Sequence, residues 1–166
     1  MEVKLTQAEN NEKHILKSLY SLYLHDLSEF TDGLHLSSDG SFEFDSFDLI
    51  WDKEGLIPYF IKNETEIVGF VLLLERPFLT KEYDYCINDF FILRKYRRKG
   101  VSKSSFRELV EQKQGKTVFV VLETNQPAVS FWRKTLTGLN LPFVEEKKVI
   151  DEEECLIFSF ENKKAL

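Results

Sequence analysis

The sequence predicts an α/β fold, a mixed sheet carrying helices on its faces. Two observations point to it. Apolar runs of strand length alternate with segments whose apolar residues recur every three or four positions, in the order strand, helix, helix, three strands, helix, strand, helix, two strands. Between Cys86 and Val110 an apolar strand, a basic turn and an amphipathic helix also follow one another directly. At 166 residues the chain is expected to form one domain over residues 1–166, large enough to bury a core without disulfides or metals.

The elements follow in order. Val3 to Leu5 reads as a short strand, and Glu12 to Phe30 as an amphipathic helix with Ile15, Leu16, Leu19, Tyr20, Leu22, Tyr23, Leu24 and Leu27 as its apolar set. Thr31 to Asp45, with Gly33, Gly40 and several serines, is a loop. A shorter helix is expected from Asp45 or Ser46 to Lys53. Leu56–Lys62 and Thr65–Leu74 form a hairpin around Asn63-Glu64, and the nearly continuous apolar run Val68–Leu74 is that of a strand covered on both faces. Glu82–Leu93 is the next strand, and Val101–Gln112 the helix after the basic turn, stopped by Gly115. Thr117–Leu122 has the β-branched composition of an interior strand. A helix begins near Asn125, with Pro127 suited to its first turn. Phe143–Ile150 and Cys155–Phe160 close the chain as a hairpin, with Glu161–Leu166 expected as a frayed tail.

Composition excludes several functions. Net charge is -6, which argues against a nucleic-acid binder acting through bulk charge. The two cysteines, Cys86 and Cys155, lack zinc-site spacing and lie in apolar runs, so they are expected as buried hydrophobes and no metal site is expected. No apolar run approaches a membrane span and the N-terminus has no apolar signal region, so a cytoplasmic protein without a membrane partner is expected. The chain is expected as a monomer or a homodimer, the apolar strand Cys155–Phe160 serving either to finish the sheet or to pair across an interface.

Chemistry concentrates in the strand, turn and helix. The turn Arg94–Gly100 carries five cations, and the helix after it begins at Val101. The first N–H groups of a helix have no internal partner and carry partial positive charge, so a phosphate or pyrophosphate satisfies them. Elsewhere, Asp26 to Glu54 holds nine acids and a single cation, Lys53. Such a region reads either as a solvated polar helix end and loop or as one that attracts a cationic ligand.

Two motifs carry a resemblance. Arg97-Arg98-Lys99-Gly100-Val101-Ser102 is similar to the Arg/Gln-x-x-Gly-x-Gly/Ala cofactor motif of the GNAT acetyltransferase family, with Tyr96-Arg97 matching the Tyr-Arg that ends the preceding strand. Asn125 to Trp132 is similar to the family's downstream Asn-x-x-Ala-x-x-Phe-Tyr. The element order matches over nearly the whole chain. The resemblance implies a mostly antiparallel mixed sheet with helices on both faces, acetyl-CoA as donor and a primary amine of a small molecule or peptide as acceptor.

It also implies site roles. Backbone amides from Arg98 to Lys103, including those of Lys99, Gly100, Val101 and Ser102, would hold the pyrophosphate, with Arg97, Arg98 and Lys99 adding charge. The pantetheine arm would pair with the backbone of Phe91, Ile92 and Leu93 where the fourth strand splays from the fifth, with Asn125, Phe131 and Trp132 beside it. Asp89 is the candidate general base and Glu123 the alternative. Tyr23, Asp26 and Glu29 on the first helix would border the acceptor. Two positions depart from the pattern. Ser102 replaces Gly or Ala, and Trp132 stands where many members have a tyrosine that protonates the departing thiolate. An indole N–H donates a hydrogen bond but is no usable acid at neutral pH. A second reading is therefore an acetyl-CoA-binding sensor or interaction module with weak catalysis.

Overall fold

The structure, a computed structural model, describes residues 1–163. In chain order the elements are β1 (Lys4–Gln7), α1 (Lys13–Leu27), α2 (Leu49–Asp52), β2 (Leu56–Asn63), β3 (Glu66–Leu74), β4 (Tyr85–Ile92), α3 (Val101–Gln112), β5 (Gly115–Leu122), α4 (Gln126–Gly138), β6 (Phe143–Ile150) and β7 (Glu153–Asn162). The strands form one sheet in the order β1-β2-β3-β4-β5-β7-β6, antiparallel at every contact except β4 with β5. The fold class and element order expected from the sequence are those observed.

Alternation along β3 explains the two-sided core. Val71 and Leu73 face α3 and α4, where Val101, Phe106, Leu109, Trp132 and Leu136 pack with Phe119 and Phe158. Phe70, Leu72 and Leu74 face α1 and α2, where Leu16, Leu19, Tyr20, Phe47 and Ile50 pack with Phe60 and Phe91. Each fully buried Phe or Leu contributes about 1.5–3 kcal/mol relative to exposure.

The boundaries differ where tertiary contacts outweigh local pattern. The long helix ends at Leu27, and Ser28 and Phe30 close it with turn hydrogen bonds to Leu24 and Leu27. The short helix shrinks to Leu49–Asp52. Tyr96-Arg97 does not end a strand: β4 stops at Ile92, and Arg94–Tyr96 forms a 3₁₀ turn. Glu161 and Asn162 belong to β7, paired with Lys116 and Gly115, so that part of the expected tail is ordered sheet; residues 164–166 lie outside the described residues. Gly115 opens β5 instead of capping α3, and its φ of +149° with a Cβ that would come 2.5 Å from Asp84 Oδ2 requires glycine there. Cys155 is buried and Cys86 half-buried, its thiol pKa pushed up to about 11 chiefly by burial. Among the described residues, no helix is long and apolar enough to cross a membrane.

Candidate active site

The cleft begins where β4 leaves β5. The two strands pair only at Tyr85↔Thr117 and Cys86↔Val118. On the other side of β4, the register with β3 skips from Leu73↔Ile87 to Leu72↔Asp89, which leaves Asn88 as an extra residue. A bulge bends its strand and re-aims the side chains around it. Here it sends Ile87 into the core under α3 and α4 and Asp89 toward α1. Beyond Cys86, the edge of β4 that faces β5 has no strand partner, and its backbone groups are available to a ligand.

Two cavities open along this gap. The larger, about 570 Å³, is lined by Phe91, Ile92, Arg97, Arg98, Ser102, Asn125, Phe131 and Trp132, together with Tyr23, Asp26 and Glu29. The smaller, about 420 Å³, is lined by Thr31, Asn88, Val120, Leu122, Asp151 and Glu153 among others. The two share six lining residues, Tyr23, Leu27, Phe90, Asn125, Ala128 and Trp132, so they are two arms of one cleft.

The basic turn forms the outer wall of the larger arm. Arg97 donates from Nε to the Ile92 carbonyl at 2.8 Å, holding the chain as it leaves β4. Both Arg97 and Arg94 donate to Asp26 on the last turn of α1, at 2.5 and 2.6 Å. Burial alone would raise the Asp26 pKa, but the hydrogen bonds from Arg94 and Arg97 outweigh it and hold the carboxyl below the usual range. Arg98 at φ +59° and Gly100 at φ +79° turn the chain into α3. No side chain caps that helix, and nothing lies within 4 Å of where a Gly100 Cβ would be. An uncapped helix N-terminus beside guanidinium groups is an anion site. Ser102 and Arg98 line the cavity itself; Lys99 and Gly100 lie exposed on the turn, Val101 is buried in the core, Lys103 points toward Gly138 of α4, and Leu93 bonds back to Val68.

Asp89 lines neither arm. Its carboxylate accepts from Tyr20 Oη at 2.7 Å and from Asn88 Nδ2 at 2.9 Å, and the Tyr23 hydroxyl acts on it more weakly. Burial raises its pKa more than these hydrogen bonds lower it. The Tyr20 and Tyr23 hydroxyls are in turn pushed well above their usual range, by burial first and by Asp89 second. Glu123 also stands outside both arms. It pairs with Lys147 at 3.0 Å, and that hydrogen bond lowers its pKa.

Trp132 is 6% exposed and packs against Phe90, Phe106, Phe119 and Phe131, with ring centroids 4.4–5.3 Å away. Asn125 caps α4, its side chain accepting from the Ala128 amide at 3.2 Å. Sequence reasoning missed Thr31, Asn88, Asp151 and Glu153. Thr31 Oγ1 donates to Glu153, and Thr124 Oγ1 donates to the Phe30 carbonyl at 2.7 Å, which ties the loop after α1 to the ends of β5 and β7. The stretch Asp151-Glu152-Glu153 was readable as a hairpin turn, but its distance from Thr31 in the chain hid their meeting. Among the described residues, no group of three or more His, Cys, Asp or Glu side chains is arranged to hold a metal.

Comparison with known proteins bears on this cleft. The family model described as "Acetyltransferase (GNAT) family" matches residues 16–137. No curated protein matches the sequence. Similar solved structures include histone acetyltransferase HPA2 and related acetyltransferase from Corynebacterium glutamicum, with 12% identity, 99% of each chain covered and a TM-score of 0.71. An acetyltransferase from Thermus thermophilus has 12% identity, 96% of each chain covered and a TM-score of 0.68. The spermidine/spermine N-acetyltransferase SpeG from Vibrio cholerae has 13% identity, 95% of this chain and 91% of that chain covered, and a TM-score of 0.60. At such identities the likeness is one of fold.

Proposed function

The chain belongs to the GNAT acetyltransferase family, and from that premise we propose that it moves an acetyl group from acetyl-CoA to a primary amine of a small cationic molecule or peptide. One observation carries this reading. A single cleft joins a basic, uncapped helix start at one arm to a carboxylate-lined arm at the other, with an unpaired strand edge between them.

Each part has a chemical task. Amides from Arg98 to Lys103 hold the pyrophosphate, with charge from Arg97, Arg98 and Lys99. The unpaired edge of β4 receives the pantetheine amides as a strand edge receives a peptide, and one of its N–H groups polarises the thioester carbonyl. Phe131 and Trp132 pack beside the arm. Asp151 and Glu153 draw the amine into the smaller arm, where no Lys or Arg lines the wall. Asp26, held by two arginines, belongs in this scheme to the cofactor side, with Glu29 nearby. Asp89 is the proposed base and Glu123 the alternative. A second reading, an acetyl-CoA sensor or interaction module with weak catalysis, is favoured by Trp132, which fills a tyrosine position with a buried indole.

Thermal unfolding with CoA, acetyl-CoA and ATP tests the shared premise. CoA at 100 times its dissociation constant should add about 2.7 kcal/mol of stability. No shift with CoA would sink both readings. Release of free thiol against a panel of amines then separates them: amine-dependent release supports the transferase, and binding without release supports the sensor.

A further inference from the structure

We propose that β6 is a docking edge for a second copy of this chain, the two copies joining antiparallel, β6 to β6, about a two-fold axis at Lys147. β7, whose apolar run was the sequence's candidate for pairing across an interface, lies inside the sheet between β5 and β6. The sheet's free edges are therefore β1 and β6, and they differ. β1 is four residues long. β6 is eight residues long, holds no glycine or proline, and keeps register with β7 from Phe143↔Phe160 to Ile150↔Glu153 without a bulge. Shortness, prolines and bulges protect an edge from pairing, and β6 has none of them. Among the described residues no strand pairs with its outer side, and Val144 and Val149 stand 57% and 62% exposed on it. Charge also guards edges, but the charges of β6 are ordered so that they attract a copy of the same strand.

From Phe143 to Ile150 the strand reads Phe-Val-Glu-Glu-Lys-Lys-Val-Ile, apolar at both ends with acids before bases in the middle. Antiparallel strands related by a two-fold axis bring one residue opposite its own copy, and residues facing each other point to the same side of the joined sheet. With Lys147 on the axis, Glu146 faces Lys148 of the second copy and Val144 faces Ile150 of the second copy, and the symmetry makes each contact twice. Glu146 and Lys148 are exposed and, among the described residues, form no ion pair within the chain, so their charges are left for a partner. The charges on the opposite side of β6 are already satisfied. Glu145 is held by Arg133 of α4, and Lys147 by Glu123 at 3.0 Å and Glu154 at 3.4 Å, so the two lysines that meet at the axis are neutralised. Moving the axis to Glu146 sets two unpaired carboxylates against each other and Val144 against Lys148. Its cross-strand pairs, Glu145 with Lys147, join groups already neutralised. Opposite charges across a strand pair stabilise it and like charges oppose it, while main-chain hydrogen bonds supply the affinity of an added strand.

Sedimentation equilibrium of the full chain should show a concentration-dependent dimer. Glu146→Lys and Lys148→Glu each turn both attractive contacts repulsive, so each variant alone should dimerise about tenfold more weakly or worse. An equimolar mixture of the two variants restores both contacts with their signs exchanged, and should form a dimer about as tight as that of the wild type. Both side chains are exposed and line neither arm of the cleft, so the fold and CoA binding of each variant should match the wild type. A wild type that remains a single chain at every concentration overturns the proposal. Single variants that dimerise as well as the wild type also overturn it, because the interface then lies on another surface. A mixture that stays as weak as its components overturns the pairing about Lys147.

Discussion

The two walls of the cleft are built in opposite ways. The cofactor wall is local in sequence: strand end, 3₁₀ turn, left-handed Gly100 and helix start lie between Ile92 and Lys103. The acceptor wall is assembled from distant segments, with Thr31 after α1 meeting Glu153 at the start of β7. In the proposed function the local wall would bind through backbone amides and need little from particular side chains beyond charge. The assembled wall would work through individual carboxylates, and its chemistry would change with each one. A protein built this way can keep one donor while its acceptor varies.

Substitutions that strike one wall and spare the other sharpen this contrast. The largest effect is expected from Gly100→Asp, which sets a carboxylate and a strained left-handed residue in the anion site. CoA affinity should fall by about 100-fold or more, because like charges now meet at a site built for phosphate. Calorimetric titration measures this, and retained affinity would place the anion site elsewhere. Next comes the double change Asp151→Asn and Glu153→Gln. It should raise the acceptor KM about tenfold, or ~1.4 kcal/mol, and leave CoA binding unchanged. A shift in CoA binding instead would mean that the two walls are not separable.

Asp26→Asn should do the reverse, because Asp26 is tied to the cofactor wall by Arg94 and Arg97. Freed of their partner, these arginines should tighten CoA binding by about two- to fivefold, the size of a partly exposed ion pair. An altered acceptor KM with unchanged CoA binding would return Asp26 to the acceptor side. The smallest effect concerns pH. The Asp26 carboxyl is held below its usual range, so its contribution to stability is complete above that range and is lost as pH falls through the folded value. Acid unfolding followed by circular dichroism should therefore have a shallower limb in Asp26→Asn than in wild type. Equal limbs would show that the pair adds nothing to stability.

The same contrast explains what was legible in the sequence. Contiguous signals could be read. The apolar run Val68–Leu74, the helix start near Asn125 and the basic turn before Val101 each carry their cause within a few residues. The splay of β4 was expected only from family resemblance, because its physical origin, the bulge at Asn88, depends on register with β3. Acidic residues on α1 pointed toward a cationic acceptor, but Asp26 proved to be satisfied by arginines 68 and 71 positions away in the chain. The Asp89 environment was likewise unreadable, since Tyr20 lies 69 positions from it. Long-range partners decide what a charge does, and one sequence does not show them.

The most direct measurement is the mass of an amine acceptor after incubation with acetyl-CoA and the wild-type protein, with Gly100→Asp as the matched blank. Transfer predicts an amine heavier by one acetyl group in step with free thiol, and neither product in the blank. Free thiol formed while the amine keeps its mass, or an acetylated amine formed equally by the blank, would contradict it.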